Sequence, residues 1–358
     1  MRVVLTCDWF LKYTSAQAAA LSRAGAEVTI LCREHALEFA SDRDERERTL
    51  AEPREAGVIV HEIPGRYWDT QALAPLRHLR RALRRFAPEV VHAQSPGADP
   101  RALALLPRVP TVLTIHDPVL HPGQPVASLA LRRWFLEAAA QAWRRRADAI
   151  MVHSEHLRAD VALRRGQRCA VIPHGLVAVA APSPPPVEPA VGFFGRLEPY
   201  KGLEVIAAAM PQVWRERPEV RVLVAGAGET PLELDDDRVQ LRRGYLPEAE
   251  ITPFFARVSL ALLPYTQATQ TGAGSQAVGH GVPVIVSRVG GLPDLALDGS
   301  YVVEPGDPSS LARAILAHID DGADVRRRVL DEVAAPRTWD AAARQTLELY
   351  RELTTGSR

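Results

Sequence analysis

Two basic residues five positions apart, Arg196 and Lys201, are the part of this sequence best suited to chemistry. They lie in GFFGRLEPYKGL (192–203), where an apolar strand pattern ends at Gly195, Pro199 turns the chain and a helical pattern begins. Two cations beside a helix N-terminus make an anion site that suits a diphosphate. Because the chain has only two lysines among 43 basic residues, a lysine here indicates a need for a compact point charge. The alternative is a pair of solvated surface charges.

A second candidate for anion binding follows the strand pattern LALLPY. Residues 269–275 (TQTGAGS) are almost all small or hydroxyl-bearing, and they precede a short helical pattern that ends near Gly281. Around Thr271, Gly272 and Ala273 the backbone amides would be uncovered at a helix N-terminus, where phosphate oxygens can dock. A plain glycine turn is the alternative. Together with the two cations, this loop favours a diphosphate site.

The other lysine, Lys12, lies in the loop DWFLKYTS (8–15), between the first strand pattern and the helix that follows it. This is the equivalent position in the first half of the chain. The sequence therefore predicts that both lysines face a common cleft, with an ordinary surface position for Lys12 as the alternative.

Short β-branched runs alternate with longer helical patterns through almost the whole chain, which is typical of βα units around parallel sheets. In the first half the predicted strands are 2–7, 27–32, 57–63, 89–94, 111–116, 148–153 and 169–173. In the second half they are 190–196, 220–228, 239–245, 260–265, 283–289 and 300–305. Between the two halves the alternation stops at a proline-rich stretch, because proline is excluded from helix interiors and central strands.

The predicted fold class is therefore α/β, with two tandem Rossmann-like, doubly wound parallel-sheet domains that face each other across a cleft. The first domain would span residues 1–180, a proline-rich linker 181–189 and the second domain 190–338. A C-terminal helix, 339–358, would pack back on the first domain. Ligands of open parallel sheets gather at the carboxyl ends of the strands, so the cleft is the expected site.

Composition excludes several classes of protein. With 358 residues, of which 47% are hydrophobic and 24% charged, the chain is typical of a globular protein of two domains. Its 43 basic and 43 acidic residues argue against a nucleic-acid binder. The three cysteines are widely spaced and lie in predicted strands, which suits reduced thiols and offers no zinc motif. No signal-peptide or membrane-spanning pattern is present, so we expect a cytoplasmic protein.

Six segments, taken in order, resemble one known family. Retaining glycosyltransferases of family 4, which have the GT-B fold, are similar to this chain in TIHDP (114–118), VIPHGL (171–176), GRLEPYKGL (195–203), LLPYTQATQTG (262–272), GHGVPVIVS (279–287) and VGGLPD (289–294). The resemblance implies a catalytic group of three residues. Arg196 and Lys201 match the pair that grips the donor diphosphate, and His116 matches the histidine beside the donor sugar. Further donor-binding positions that it implies are Gly195, Gly244, Tyr245, Thr271, Gly272, Ala273 and Gln276.

Within that last group, the amides of Gly272 and Ala273 match a loop that meets the distal phosphate, and Gly244 and Tyr245 lie where the backbone contacts the nucleotide base. The chain departs from the family in two places. Many members carry two glutamates eight positions apart where this chain has Ala268 and Gln276; the sequence QTG at 270–272 resembles a subgroup without that pair. Many members also have paired glycines in the first loop, where this chain has Lys-Tyr-Thr at 12–14, so the identity of the acceptor does not transfer.

The run PLRHLRRALRRF (75–86) predicts a basic amphipathic helix, with arginines on one face and leucines on the other. One interpretation is peripheral contact with an anionic membrane at its inner face, which the resemblance supports because some relatives glycosylate lipid acceptors. The alternative is a packed helix with a solvated outer face, since the apolar face is needed for the domain core.

The predicted function is transfer of a sugar, with retention, from a nucleotide-diphosphate sugar of the UDP or GDP type to an acceptor hydroxyl. The acceptor is undetermined: a saccharide, a lipid-linked group or a natural product. The resemblance implies fixed cations in place of a metal, and no cofactor besides the donor substrate. Two alternatives stay open: a non-catalytic nucleotide-sugar-binding protein, which the missing glutamates favour, and a nucleotide-sugar epimerase of the same fold.

Overall fold

The computed structural model describes residues 1–7, 10–33, 43–63, 73–95, 100–116, 130–179, 181–229, 234–268 and 271–355. The chain divides into two compact units. The N-terminal unit consists of Met1–Gly175 and Trp339–Arg358, and the C-terminal unit of Leu176–Thr338. Each unit is an α/β structure built on a parallel sheet.

Seven parallel strands form the sheet of the N-terminal unit, in the order β3-β2-β1-β4-β5-β6-β7. The strands are β1 (Arg2–Cys7), β2 (Glu27–Arg33), β3 (Ile59–Ile63), β4 (Val90–Ser95), β5 (Thr111–Ile115), β6 (Ala149–Val152) and β7 (Arg168–Val171). The helices are α1 (Leu11–Arg23), α2 (Arg43–Glu55), α3 (Leu73–Phe86), α4 (Pro100–Leu105), α5 (Ala130–Arg146), α6 (Glu155–Asp160) and, at the end of the chain, α12 (Trp339–Thr355).

Both faces of this sheet are covered, because the side chains of each strand alternate between two apolar cores. In β1, Val3 belongs to one core and Val4 to the other. The first core includes Leu21 of α1 and Tyr350 of α12, and the second includes Trp143 of α5. Helix α12 is thus an integral part of the N-terminal unit, although it is the last element in the chain.

Helix α3 directs its apolar face into the second of these cores. Leu79 and Leu83 are buried there, and the five arginines of this helix, Arg77, Arg80, Arg81, Arg84 and Arg85, are exposed. This is the packed arrangement with a solvated outer face. Contact with anionic lipid, which could use only the arginines, stays a prediction. Within the described residues, no helix is both long and apolar enough to span a membrane.

The C-terminal unit has a six-stranded parallel sheet, in the order β10-β9-β8-β11-β12-β13. Its strands are β8 (Ala190–Phe194), β9 (Arg221–Gly226), β10 (Val239–Arg243), β11 (Leu260–Leu263), β12 (Val284–Ser287) and β13 (Val302–Val303). Its helices are α7 (Leu203–Glu216), α8 (Glu248–Ala256), α9 (Gly272–Gly279), α10 (Pro308–His318) and α11 (Ala323–Arg328). Shorter 3-10 turns cover Pro199–Lys201, Leu292–Leu295, Gly299–Tyr301 and Ala335–Arg337, and Val329–Ala334 forms a π-helical turn.

The predicted fold class, two Rossmann-like parallel-sheet domains, is confirmed, and each predicted strand overlaps an observed one. The largest difference is in the last strand: only Val302–Val303 of the predicted 300–305 is extended. Just before it, the Asp298 carboxylate accepts a hydrogen bond from the Ser300 amide and holds a 3-10 turn.

The unit boundary differs from the expected residue 180. It falls after Gly175, and the expected linker, 181–189, belongs to the C-terminal unit. Leu176 already forms a parallel bridge with Thr338, and its amide donates to the carbonyl of Arg337 at 2.8 Å. This pairing fixes the chain in the C-terminal unit before the prolines begin.

Candidate functional site

The most suitable place for an anionic ligand in the C-terminal unit is the edge where the strand order reverses, between β8 and β11. Ligands of doubly wound sheets bind outside the carboxyl ends of strands at such a switch point. Gly195 and Arg196 directly follow β8, and Pro264 and Tyr265 follow β11. The sheet topology therefore brings together two segments that are about 70 residues apart in sequence.

Lys201 is the central side chain of this edge. It ends the turn Pro199–Lys201 and is only 7% exposed. Its Nζ donates a hydrogen bond to the hydroxyl of Tyr265 at 2.9 Å and lies 4.3 Å from the centre of that ring. Burial, and then the nearby Arg196 charge, lower the pKa of Lys201 to about 8. A desolvated ammonium group of this kind is stabilised when an anion binds beside it.

Two glycines give this edge its shape. Gly202 has φ +73°, and a Cβ added there would lie 2.1 Å from the carbonyl oxygen of Pro264, so only glycine allows the chain after Lys201 to pass so close to the end of β11. Gly195 has φ +131°, and a Cβ there would lie 3.4 Å from the Cβ of Ala273 and 3.7 Å from Nζ of Lys201. The space beside Gly195 is thus bounded by the lysine ammonium group and the start of α9.

Helix α9 presents its N-terminus at the same place. Thr271 is the N-cap, and its Oγ1 accepts a hydrogen bond from the amide of Gly274 at 3.4 Å. The hydroxyls of Tyr265 and Thr271 are 3.3 Å apart. Tyr265 therefore connects the lysine to the helix cap. Of the predicted residues, the structure brings together Gly195, Lys201, Thr271 and Ala273, with Gly272 exposed beside them. Thr269 and Gln270 lie outside the described residues.

Arg196 and Gln276 are more loosely placed. The side chain of Arg196 is 71% exposed and lies 3.6 Å from a carboxylate oxygen of Glu198. An exposed pair of this kind contributes little to stability, so the guanidinium is free to reorient toward a ligand. Gln276 is exposed on α9, and Ala268 is partly buried against the core of the C-terminal unit.

Gly244 and Tyr245 lie at the carboxyl end of β10, two strands from β8. The amide of Gly244 donates to the carbonyl of Gly226 at 2.9 Å, which continues the β9–β10 ladder by one residue. Tyr245 is 83% exposed. Gly244 and Tyr245 therefore lie at the same edge of the sheet as Lys201, separated from it by the width of two strands.

His116 belongs to the N-terminal unit, where it follows β5. It is buried, with its ring stacked on Phe10 at 3.9 Å between centroids, and Tyr13 and His153 lie at 4.7 and 4.9 Å. Its Nε2 is 2.9 Å from Oε1 of Gln94. Burial holds the pKa of His116 well below its usual value, and any proton on a neighbouring histidine would lower it further. The ring is therefore neutral at physiological pH.

Lys12 lies in the first turn of α1, is more than half exposed and pairs with Glu45 of α2. These surroundings agree with the surface position that was the alternative, and a position facing a cleft stays a prediction. The neighbouring Tyr13 of the same turn is the residue that packs against His116.

Two residues that sequence reasoning missed have central positions. Tyr265 bonds Lys201, and Gln94 bonds His116. Each is the last residue of a predicted strand, LALLPY and EVVHAQ, and this position at a sheet edge was the available signal. Among the described residues, no group of three His, Cys, Asp or Glu side chains could hold a metal ion.

Affinity for a nucleoside diphosphate is expected to fall as the pH rises above about 8. Lys201 is charged below its pKa of about 8, and a bound diphosphate holds that proton, so binding at higher pH must take up a proton. The dissociation constant should rise by up to about tenfold per pH unit. Calorimetry in buffers of different ionisation enthalpy measures the uptake directly. An affinity independent of pH between about 7.5 and 9.5, without proton uptake, would contradict this role.

Two family models match the chain and divide it as the fold does. The model "Glycosyltransferase Family 4" matches residues 12–178, and the model "Glycosyl transferases group 1" matches residues 188–321. The glycogen synthase of Mycobacterium tuberculosis is 29% identical over 297 residues, 77% of this chain and 71% of that protein. The 2-deoxystreptamine glucosyltransferase of Streptomyces kanamyceticus is 28% identical over 306 residues, 76% and 77% of the two chains.

Solved structures with the same fold include two whose whole length aligns. Sucrose-phosphate synthase from Thermosynechococcus elongatus has a TM-score of 0.67 at 19% identity, covering 99% of both chains. Anabaena HepE in complex with UDP has a TM-score of 0.67 at 17% identity, covering 98% of this chain and 99% of that chain. Identities this low show the fold alone. With a family 4 match in its first half and a group 1 match in its second, each on a Rossmann-like unit, the chain belongs to the glycosyltransferases of the GT-B fold.

Proposed function

We propose that this glycosyltransferase moves a sugar from a nucleotide-diphosphate donor to an acceptor hydroxyl with retention at the anomeric carbon, and that it does so without a metal ion. The observation that carries the proposal is the position of Lys201. Its Nζ is buried between Tyr265 and Gly195, beside the N-terminus of α9. A buried cation with a lowered pKa next to uncovered helix amides suits the diphosphate of a nucleotide sugar.

In this proposal the C-terminal unit stabilises the leaving group. As the bond between the anomeric carbon and the diphosphate oxygen breaks, negative charge grows on the diphosphate. Lys201 and the amides at Gly272 and Ala273 stabilise that charge, which lowers the barrier because they are already in place. Arg196 adds its charge after its exposed side chain turns toward the diphosphate. The acceptor oxygen bonds to the anomeric carbon on the face that the diphosphate leaves. The proton of the acceptor passes to a departing phosphate oxygen.

His116 would act on the sugar rather than on the diphosphate. Because its ring is neutral, it can form a hydrogen bond with a sugar hydroxyl without competing with the cations for negative charge. Gln276 in place of a glutamate would hydrogen-bond a ribose hydroxyl without charge. Gly244 and Tyr245, at the end of β10, would meet the base through backbone groups.

UDP is the first donor nucleotide to test, because HepE, which has the same fold, has been solved in complex with UDP and with UDP-glucose. The acceptor is proposed only as a hydroxyl compound. The similar proteins named D-inositol 3-phosphate glycosyltransferase, 2-deoxystreptamine glucosyltransferase and glycogen synthase indicate by their names acceptors of quite different kinds.

Incubation of the enzyme with labelled UDP-sugars and a panel of hydroxyl acceptors tests the proposal. We expect the product to keep the anomeric configuration of the donor, as read by proton NMR, and turnover to persist in EDTA. Inverted product, or activity lost in EDTA and restored by magnesium, would contradict the assigned roles. Tight binding without any transfer or hydrolysis would favour the binding-protein alternative, and a 2-epimerised nucleotide sugar the epimerase.

A further inference from the structure

Three buried side chains, the last of which is His116, are connected by hydrogen bonds in the N-terminal unit. Gln17 of α1 is 4% exposed, Gln94 of β4 is 0% exposed and His116 is 7% exposed. The Nε2 amide of Gln94 donates to Oε1 of Gln17 at 3.0 Å. The Oε1 of Gln94 lies 2.9 Å from Nε2 of His116. Burying a side-chain amide costs free energy unless its polar atoms form hydrogen bonds, so these bonds favour one arrangement of the three side chains.

The direction of these hydrogen bonds determines where His116 carries its proton. The Gln94 amide nitrogen is directed at Gln17, so its oxygen faces His116. An amide oxygen can only accept, and the donor must therefore be Nε2–H of His116. A neutral imidazole has one N–H, so Nδ1 then carries none and is an acceptor. The same argument gives the nearby His153 the other tautomer. Its Nδ1 lies 2.9 Å from the backbone carbonyl of Ile172, which can only accept, so Nδ1 carries the proton.

We propose that Gln94, supported by Gln17, is a positioning residue that fixes His116 as the Nε2–H tautomer, so that Nδ1 accepts a hydrogen bond from a hydroxyl group of the bound sugar. The second half of this statement rests on the proposed function; the first half concerns the unliganded protein. A wrong tautomer would present an N–H to the sugar, and two donors would then face each other unless the hydroxyl turned away.

The tautomer is measurable without any substrate. Nitrogen-15 NMR of the histidine-labelled full chain distinguishes a protonated from a bare ring nitrogen, and His116→Gln identifies the signals. We expect a single Nε2–H form in the wild type. In Gln94→Leu, the N–H should redistribute between the two nitrogens. An Nδ1–H form in the wild type, or an unchanged tautomer in Gln94→Leu, overturns the proposal.

Kinetics test the consequence for the sugar. Gln94→Leu should lower kcat by about tenfold, as for one lost hydrogen bond, while the affinity for UDP, whose proposed contacts lie in the other unit, stays at the wild-type value. On a His116→Ala background the same change should have no further effect, because the two residues act as a unit. A full additional loss on that background, or wild-type kcat in Gln94→Leu, would refute positioning through His116.

A second variant covers the case in which Gln94→Leu does not fold. Gln94→Glu keeps the size and an acceptor oxygen for Nε2–H, but its carboxylate favours the charged imidazole and raises the pKa of His116. Of the described residues, the other titratable groups against His116 are Tyr13 and His153, with His92 and His174 farther away, and burial keeps all four neutral. The kcat of Gln94→Glu should therefore increase with pH where that of the wild type is flat. A flat profile in Gln94→Glu counts against the proposal.

If neither the wild type nor any variant transfers sugar but the tautomers behave as expected, the positioning holds and the proposed function fails.

Discussion

Replacement of Lys201 by methionine is expected to weaken UDP binding by about 10- to 150-fold, which corresponds to roughly 1.5–3 kcal/mol for a hydrogen bond to a charged group. Methionine has a similar length and fills the same space without the charge. The melting temperature should stay the same or rise, because the wild type buries an ammonium group whose only hydrogen bond recorded within the described structure is to the Tyr265 hydroxyl. Calorimetry with UDP and a thermal melt of the unliganded protein give both quantities.

The chain contains its own matched control for this experiment. Lys12→Met removes the other lysine, which lies on the surface of the N-terminal unit and pairs with Glu45. UDP affinity should be unchanged, and stability should change by less than about 1 kcal/mol, as is usual for an exposed ion pair. Equal affinity in Lys201→Met and the wild type would show that the diphosphate does not contact this lysine. The proposed site would then be wrong.

Gly202→Ala is expected to be the most damaging single substitution at this edge. The left-handed backbone at φ +73° costs an alanine roughly 1 kcal/mol or more, and its Cβ would lie 2.1 Å from the carbonyl oxygen of Pro264. The overlap is with backbone, so Lys201 and the end of β11 must move apart. We expect a loss of more than about 2 kcal/mol in the unfolding free energy, measured by urea, and no detectable UDP binding in the fraction that folds.

Gly299→Ala serves as the comparison for this substitution. Gly299 has no left-handed backbone angle, and a Cβ there meets nothing within 4 Å. It lies in the same unit, in the turn before β13. Its stability and UDP affinity should match those of the wild type. If Gly202→Ala were as harmless as Gly299→Ala, the close approach of the two loops at Lys201 would not exist in solution.

Periodicity was sufficient to predict the fold, because most strands of a doubly wound sheet are apolar runs that local sequence displays directly. The meeting of Lys201 with the loop at Thr271 could also be predicted, because both follow strands whose carboxyl ends share one edge. The lysine count did not distinguish the surroundings of the two lysines, since Lys201 is buried and Lys12 is exposed and pairs with Glu45. Pairing with Glu45 depends on how α2 lies against α1, and nothing local in the sequence determines that.

Tyr265 and Gln94 could not have been assigned their partners from sequence. Tyr265 meets Lys201 from 64 positions away, and Gln94 meets His116 from 22 positions away. Such contacts depend on strand order, since β8 neighbours β11 and β4 neighbours β5. A topology prediction that specified these neighbours would have suggested both pairs, but not the direction of their hydrogen bonds.

The return of α12 to the first sheet has a consequence for the newly made polypeptide. In this helix, the Tyr350 hydroxyl lies 2.5 Å from Nδ1 of His92, and both side chains are wholly enclosed. A chain emerging from the ribosome has the whole of 176–338 available for its own core before residue 350 appears. The half that is synthesised first must therefore wait, with the part of its sheet beside α1 that α12 covers still exposed, for α12 to be translated.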